Sequence, residues 1–410
     1  PDAGAFIYAL HRLPRCMWAV RRVLMGQLPE QFAAALGQPI TDWALVEAAA
    51  RRRQWRYDGH ATLCAHIASP SDVDDLIPTL VAYQIEWNKL HALARANSLT
   101  REVLARAEPP DAATLEALGA ALRLPADDWP RVCAALGPAC WPTLRAIYAA
   151  EKDLSVGLLG GRHVSYAKLF DRWWQPVQAA LASHDLTGRP VYFISSNLHS
   201  VVNLLSGYAR RRADALWAFL ETARDEPEAR VLRAARGQAN AENILYYAAR
   251  LWHRAHPDTS VKQERCREEE ARGIYQVHPH HGLDIGAQLI DLRRVQPADL
   301  DPRLADLAGA LAGSPAVVLN VDYPLGFAAY YLLRVVLEAL DEVRGVYVLG
   351  KAATLNGAIG DVLISDVVFD EHSQNLYSFE NAFSSRHVAP YLERGSVLDN
   401  QKAVTVRGTF

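Results

Sequence analysis

RGVYVLGKAATLNGAIGDVLIS, residues 344–365, decides how the rest of this chain is read. Val346–Leu349 has the apolar, β-branched character of a buried strand. Gly350 hinges a turn, a small-residue loop follows, and a Gly360-Asp361 step leads into a second strand, Val362–Ser365. The same logic appears just upstream: strand Val317–Val321, turn Asp322-Tyr323-Pro324-Leu325-Gly326, then an apolar helix over Phe327–Leu340. Neighbouring strand ends with small-residue turns build a ligand crevice at the carboxyl edge of an α/β sheet.

Working outward, Thr187-Gly188-Arg189-Pro190 marks a change of pattern. Val191-Tyr192-Phe193-Ile194 is a compact β-type run, Ser195-Ser196-Asn197 a turn, and Leu198–Leu220 a helix. Helices are expected over Glu242–His253 and Leu283–Leu292, and strands over Gly273–Val277, Val362–Phe369 and Ala403–Phe410. This alternation predicts an α/β domain over residues 187–410, with a mostly parallel central sheet and helices on both faces. Residues 1–186 read as an all-helical domain. Leu76–Leu93 carries apolar residues at helical spacing behind Asp72, Asp74 and Asp75, and Thr114–Leu124, Trp129–Ala150 and Val164–Ser183 follow the same pattern. The sequence contains no evident internal repeat.

Half of the 410 residues are hydrophobic and 22% are charged, a globular composition. A net charge of -3 argues against nucleic acid as the partner. The five cysteines, Cys16, Cys64, Cys133, Cys140 and Cys266, form no CxxC pair and read as reduced thiols of a cytoplasmic protein. Four arginines interrupt the most apolar N-terminal stretch, Ala5–Leu28, so neither a signal sequence nor a membrane span is expected. The last predicted strand runs to Phe410 with no partner segment after it, which suggests a piece of a longer product.

Residues 317–369 resemble the nucleoside phosphorylase and nucleosidase superfamily. The matching pieces are NVDYPLGFAAYYLLRVVLEAL, a strand with a small-residue loop, Gly-Asp-Val-Leu-Ile at 360–364, and Asp370-Glu371-His372 in place of a family acidic segment. The resemblance implies a phosphorylase-like α/β fold, a homo-oligomer, and cleavage of an N-glycosidic bond in a nucleoside or nucleotide by water or phosphate. It implies no cofactor beyond phosphate as a co-substrate. The chain departs from the family at Gly350-Lys351-Ala352-Ala353-Thr354, where a second glycine pair is missing, and in lacking a Glu-Met-Glu strand. These departures keep open a second expectation, a catalytically inactive sensor or scaffold.

N-glycosidic cleavage needs a proton or hydrogen bond for the departing base, support for a cationic sugar, and a placed nucleophile. Asp322, Asp370 and Glu371 are the candidate catalytic carboxylates, with His372 beside them. Ser195, Ser196, Asn197, Gly326, Gly350, Lys351, Thr354 and Asn356 are the candidate substrate contacts. Ser195–Asn197 and His199 stand at a helix start that favours an anion. Asp322 and Asn356 read equally as turn formers, Asp361 as a loop anchor, and Arg386-His387 as a flexible closing segment. His278-Pro279-His280-His281 lacks the spacing that puts two imidazoles on one helical face, so no metal is expected there, and a metal-dependent hydrolase is a third reading. His253 and His256 read as helix C-terminal charges.

Overall fold

Val191, Phe193, Val317, Leu319 and Leu289 are buried against Phe170, Trp173 and Leu332, while Val318, Ile290 and Ile274 are buried against Val202 and Leu205. Strands that alternate between two apolar faces must be covered on both sides, and a three-layer sandwich does this. In a computed structural model the chain is mixed α/β with three sheets. The structure describes residues 1–50, 53–67, 70–159, 166–223, 227–237, 241–256, 259–278, 283, 285–324, 327–350, 352–371, 373–392 and 395–405.

The strands of the first sheet are β1 (Arg22–Gly26), β2 (Ala44–Val46), β3 (Trp55–Tyr57), β4 (Thr62–His66) and β5 (Ser155–Leu158), in the order β2-β3-β4-β1-β5. The second sheet contains β6 (Val191–Ser196), β7 (Ile274–Val277), β8 (Ala287–Asp291), β9 (Val317–Asp322) and β10 (Val343–Val348), in the order β10-β6-β9-β8-β7. Here β10, β6 and β9 are parallel, and β8 and β7 extend the sheet antiparallel. The third sheet joins β11 (Val362–Asp370), β12 (Asn375–Ser378) and β13 (Val397–Thr405) in the order β12-β11-β13. Ile364 is the one buried residue described between 350 and 405, and Leu355 and Ile359 extend fully into solvent.

The expectation of an all-helical first 186 residues is corrected by β1–β5. Strands of three to five residues are too short to show a period, and β1 and β4, buried on both faces, carry no alternation that separates them from the inner turn of a helix. The expected helix over 283–292 is likewise a strand, β8, whose five residues are all buried. The single helix expected over 198–220 is three, Ser200–Ser206, Tyr208–Arg211 and Ala213–Thr222. Gly207 makes the first break at φ 61, and a Cβ there would lie 2.7 Å from Asp299 Oδ1.

The two large sheets have the same wiring. A helix (Ala3–Arg12 or Tyr166–Ser183) enters a central strand (β1 or β6), a short helix follows (Pro29–Leu36 or Ser200–Ser206), and an antiparallel edge pair comes next (β2–β3 or β7–β8). The fourth strand (β4 or β9) returns parallel to the first, and a helical crossover beginning at Pro70 or Phe327 reaches the fifth strand (β5 or β10) on the other side. Faces match too. The entering and crossover helices pack together over one face in each unit, and the short helix covers the opposite face. A topology can persist after sequence identity has decayed, so the chain carries a structural repeat that its residues do not display. Helix Tyr166–Ser183 belongs with the second unit: Trp173 is buried and its Nε1 donates to Ile285 O at 2.7 Å.

Each unit therefore has its own core, one around Leu63, Trp87 and Leu118 and the other around Leu319, Trp173 and Phe170. Scanning calorimetry is expected to resolve two transitions. Leu63→Ala lowers one and Leu319→Ala the other, each by about 2–5 kcal/mol. A single transition displaced equally by both substitutions contradicts two separate cores.

Candidate binding site

Strand register places Ile194, Asn320, Gln288 and Gln276 side by side across four strands. One step toward the opposite edge the same face reads Tyr192, Val318, Ile290 and Ile274. The face thus turns from apolar to amide-bearing as it nears the carboxyl edge of β6 and β9. The amides form a continuous chain. Ser196 Oγ donates to Asn320 Oδ1 at 2.8 Å, and Asn320 Nδ2 donates to Gln288 Oε1 at 2.9 Å and Asn197 O at 3.1 Å. Gln288 Nε2 donates to Leu198 O at 2.6 Å and Gln276 Oε1 at 3.1 Å. Gln276 Nε2 donates to Glu269 Oε2 at 3.0 Å, and Arg265 Nε closes the chain on Glu269 Oε1 at 2.6 Å. Asn320, Gln288, Glu269 and Ser196 are 0, 1, 2 and 2% exposed. Burial at this depth is tolerated only when each polar group has a partner.

A cavity of about 1230 Å³ lies over this row. Its floor includes Gln276 and Gln288, one wall is helix Ala241–Ala255, and the other is helix Thr259–Ala271. Lys262, Arg265, Cys266 and Glu269 recur at helical spacing, so one face of the second helix lines the space; Tyr246, Arg250 and His253 do the same for the first. Arg303 and Tyr391 complete the rim.

The lining is cationic. Arg250, Lys262, Arg265 and Arg303 meet a single carboxylate, Glu269, among the described lining residues. Arg265 is offset by Glu269, and Arg303 by Asp301, which lies behind the wall. Burial alone would raise the Asp301 pKa, but donation from Arg303 and Tyr246 outweighs it and holds the carboxyl at about 2. Tyr246 Oη donates to Asp301 Oδ2 at 2.5 Å, which fastens helix Ala241–Ala255 to the segment carrying Arg303. Neither Arg250 nor Lys262 has a carboxylate partner among the described residues. Burial, with Arg265, Arg212 and Lys262 nearby, pushes the His253 pKa down to about 4. Its Nε2 is buried without a hydrogen-bond partner among the described residues, and its ring stacks on Tyr208 with centroids 5.6 Å apart.

Across residues 1–410 the sequence matches a family of unknown function (DUF6909). The chain belongs to that family. No curated protein and no solved structure matches it.

In this DUF6909 member, the strand-end residues singled out by sequence fall into two groups. Ser195, Ser196, Asp322 and Gly350 meet at one edge: Ser196 pairs with Asp322 in register, and Leu349 N donates to Ser195 O at 2.8 Å. Asn197 caps the following helix through Ser200 N at 2.6 Å, its Nδ2 donates to Tyr323 Oη at 3.4 Å, and His199 lines the cavity. Tyr323 holds a left-handed φ of 36 directly after Asp322, a strained turn for a residue with a Cβ. The remaining candidates lie on the third sheet and its entry loop. Thr354 Oγ1 donates to Asn356 Oδ1, and Asn356 Nδ2 donates to Gln401 of β13 at 2.9 Å. Asp370 accepts from Thr405 at 2.5 Å and Ser373 at 2.6 Å, with exposed Glu371 next to it. Asp361 accepts from Ala358 N and Ser396 N, and His387 Nδ1 accepts from Ser384 N.

Gly326, Lys351, His372 and residues 279–281 lie outside the described residues. Among the described residues no cluster of three His, Cys, Asp or Glu is placed to hold a metal ion, and no helix is long and apolar enough to cross a membrane. Sequence reasoning passed over Asn320, Gln276, Gln288, Glu269, Arg250, Lys262 and Arg265. The sequence signal for Asn320 and Gln288 is a polar residue inside an otherwise apolar strand, LNV at 319–321 and AQL at 287–289.

Asn320→Leu leaves Ser196, Gln288 and Asn197 O without their partner inside the sheet. It is expected to cost about 3–5 kcal/mol in chemical denaturation. A change below 1 kcal/mol contradicts a buried amide chain.

Proposed function

We propose that the protein binds a nucleoside or nucleotide-like small molecule in the cavity over the second sheet. The observation that carries this reading is a roomy, tyrosine-bearing, cation-lined space over the antiparallel strands β7 and β8, beside the segment that leaves the carboxyl end of β6. Its volume of about 1230 Å³ accommodates a base, a sugar and a charged group together. Tyr246 and Tyr247 supply aromatic surface for a heterocycle, and the basic groups supply charge for an anion. The phosphorylase-like resemblance of residues 317–369 points to the same ligand class. Of the two activities that resemblance allows, binding without turnover has the better support at the cavity. Glu269, the single carboxylate among the described lining residues, has one oxygen held by Arg265 and the other by Gln276, so it is engaged within the wall rather than offered to a departing base.

Cleavage of the N-glycosidic bond is the second reading. It is favoured by the meeting of Ser195, Ser196 and Asp322 at adjacent parallel strand ends beside a strained Tyr323. There a carboxylate and hydroxyls stand within one loop of the cavity rim at His199.

A panel of nucleosides and nucleotides, with and without phosphate, separates the two. Thermal shift reports binding, and chromatography reports free base. The binding reading expects at least one ligand to stabilise the protein, by about 2.7 kcal/mol at one hundred times its Kd, with no base released. Release of base establishes cleavage. No shift with any member of the panel contradicts the nucleoside reading.

A further inference from the structure

We propose that the ligand of this cavity carries a phosphate, seated between Arg250 and His253 on one wall and Lys262 on the other. The inference rests on the nucleoside reading for the rest of the ligand, but its own grounds are independent. Charge balance is the first. Arg212 is matched by Glu264 and Glu268, Arg265 by Glu269, and Arg303 by Asp301. Arg250 and Lys262 are what remain at the cavity unmatched among the described residues, and a phosphate near neutral pH brings close to two negative charges.

Position is the second ground. Arg250 and His253 are three residues apart on helix Ala241–Ala255, so they share a face, and both line the cavity. Lys262 and Arg265 share a face of helix Thr259–Ala271 in the same way. The two faces oppose each other across the space. The arginine and lysine are exposed at the mouth while the histidine is set deeper. That places hydrated, mobile cations where an anion enters and a fixed ring behind them.

The third ground is the orphaned imidazole nitrogen. His253 Nε2 is sealed from water without a partner among the described residues, although cations lie on several sides. Tyr208, which stacks on the ring, is itself flanked by Arg212 at 4.2 Å and Arg265 at 5.1 Å from its centroid. A buried polar atom without a hydrogen bond is unfavourable, and a turn of the ring toward the cavity it lines gives Nε2 a phosphate oxygen as its partner, beside the surrounding positive charges.

The test compares adenosine, guanosine, cytidine and uridine with their 5′-monophosphates by isothermal titration calorimetry. Ribose 5-phosphate and orthophosphate are controls. At least one monophosphate is expected to bind ten or more times more tightly than its nucleoside. Lys262→Gln and Arg250→Gln, both at exposed positions, are expected to erase most of that preference without lowering the melting temperature. Equal binding of nucleoside and monophosphate overturns the phosphate seat and leaves the nucleoside reading standing. Binding of ribose 5-phosphate or orthophosphate, with none of any nucleoside or monophosphate, keeps the seat and overturns the nucleoside reading. No binding of any probe overturns both. A preference that survives both substitutions overturns the assignment to these residues.

Discussion

A row of amides sealed inside a sheet tolerates almost no error in how the strands pair. Asn320, Gln288 and Gln276 each sit opposite the next in register, and Ser196 and Glu269 close the ends. Slipping any strand by one residue would turn its amide to the opposite face, among Leu319, Leu289 and Tyr275, where nothing can bond it. The row therefore fixes the pairing of β6, β9, β8 and β7. It also ties helix Thr259–Ala271 to the sheet through Glu269 and Arg265. The floor of the cavity and one of its walls are parts of this same hydrogen-bonded network.

The repeated wiring shows what the second unit adds in order to build such a space. In the first unit residues 37–43 connect the short helix to β2 directly, and Phe32, Leu24, Ile40 and Cys64 fill the crevice between helix and sheet. In the second unit residues 207–273 intervene at the same point, and the helices they form stand off the sheet and wall the cavity. The first unit places its extra helices elsewhere, between β4 and β5, where they enlarge its core around Trp87 and Leu118. One topology thus serves in one copy as a packed body and in the other as a platform for a walled cavity.

How much of this the sequence discloses depends on how much contrast each element carries. The units at Val191–Asn197 and Val317–Leu340 were legible because apolar runs are followed at once by turn residues and a helix pattern. The joining of Ser195, Ser196, Asp322 and Gly350 at one edge follows from parallel pairing of those strands. By contrast, β2 and β3 are three residues each and β8 is buried throughout, so periodicity cannot separate them from helix or coil. The cavity-lining residues escaped for a different reason. Arg250, Lys262 and Arg265 sit in charge-rich helices that read as solvated surfaces, and only the fold turns those faces toward a common space. Thr354, Asn356 and Asp370 have the chemistry of site residues, yet the structure engages them in bonds within the third sheet and its entry loop.

Hydrogen–deuterium exchange in the presence of a saturating bound nucleotide tests the location of the site most directly. If the amide row is the floor of the ligand cavity, protection rises along residues 198–206, 241–255 and 259–271 and leaves the first unit unchanged. Protection centred instead on residues 352–371, or on β1 and β4 of the first unit, would contradict the account.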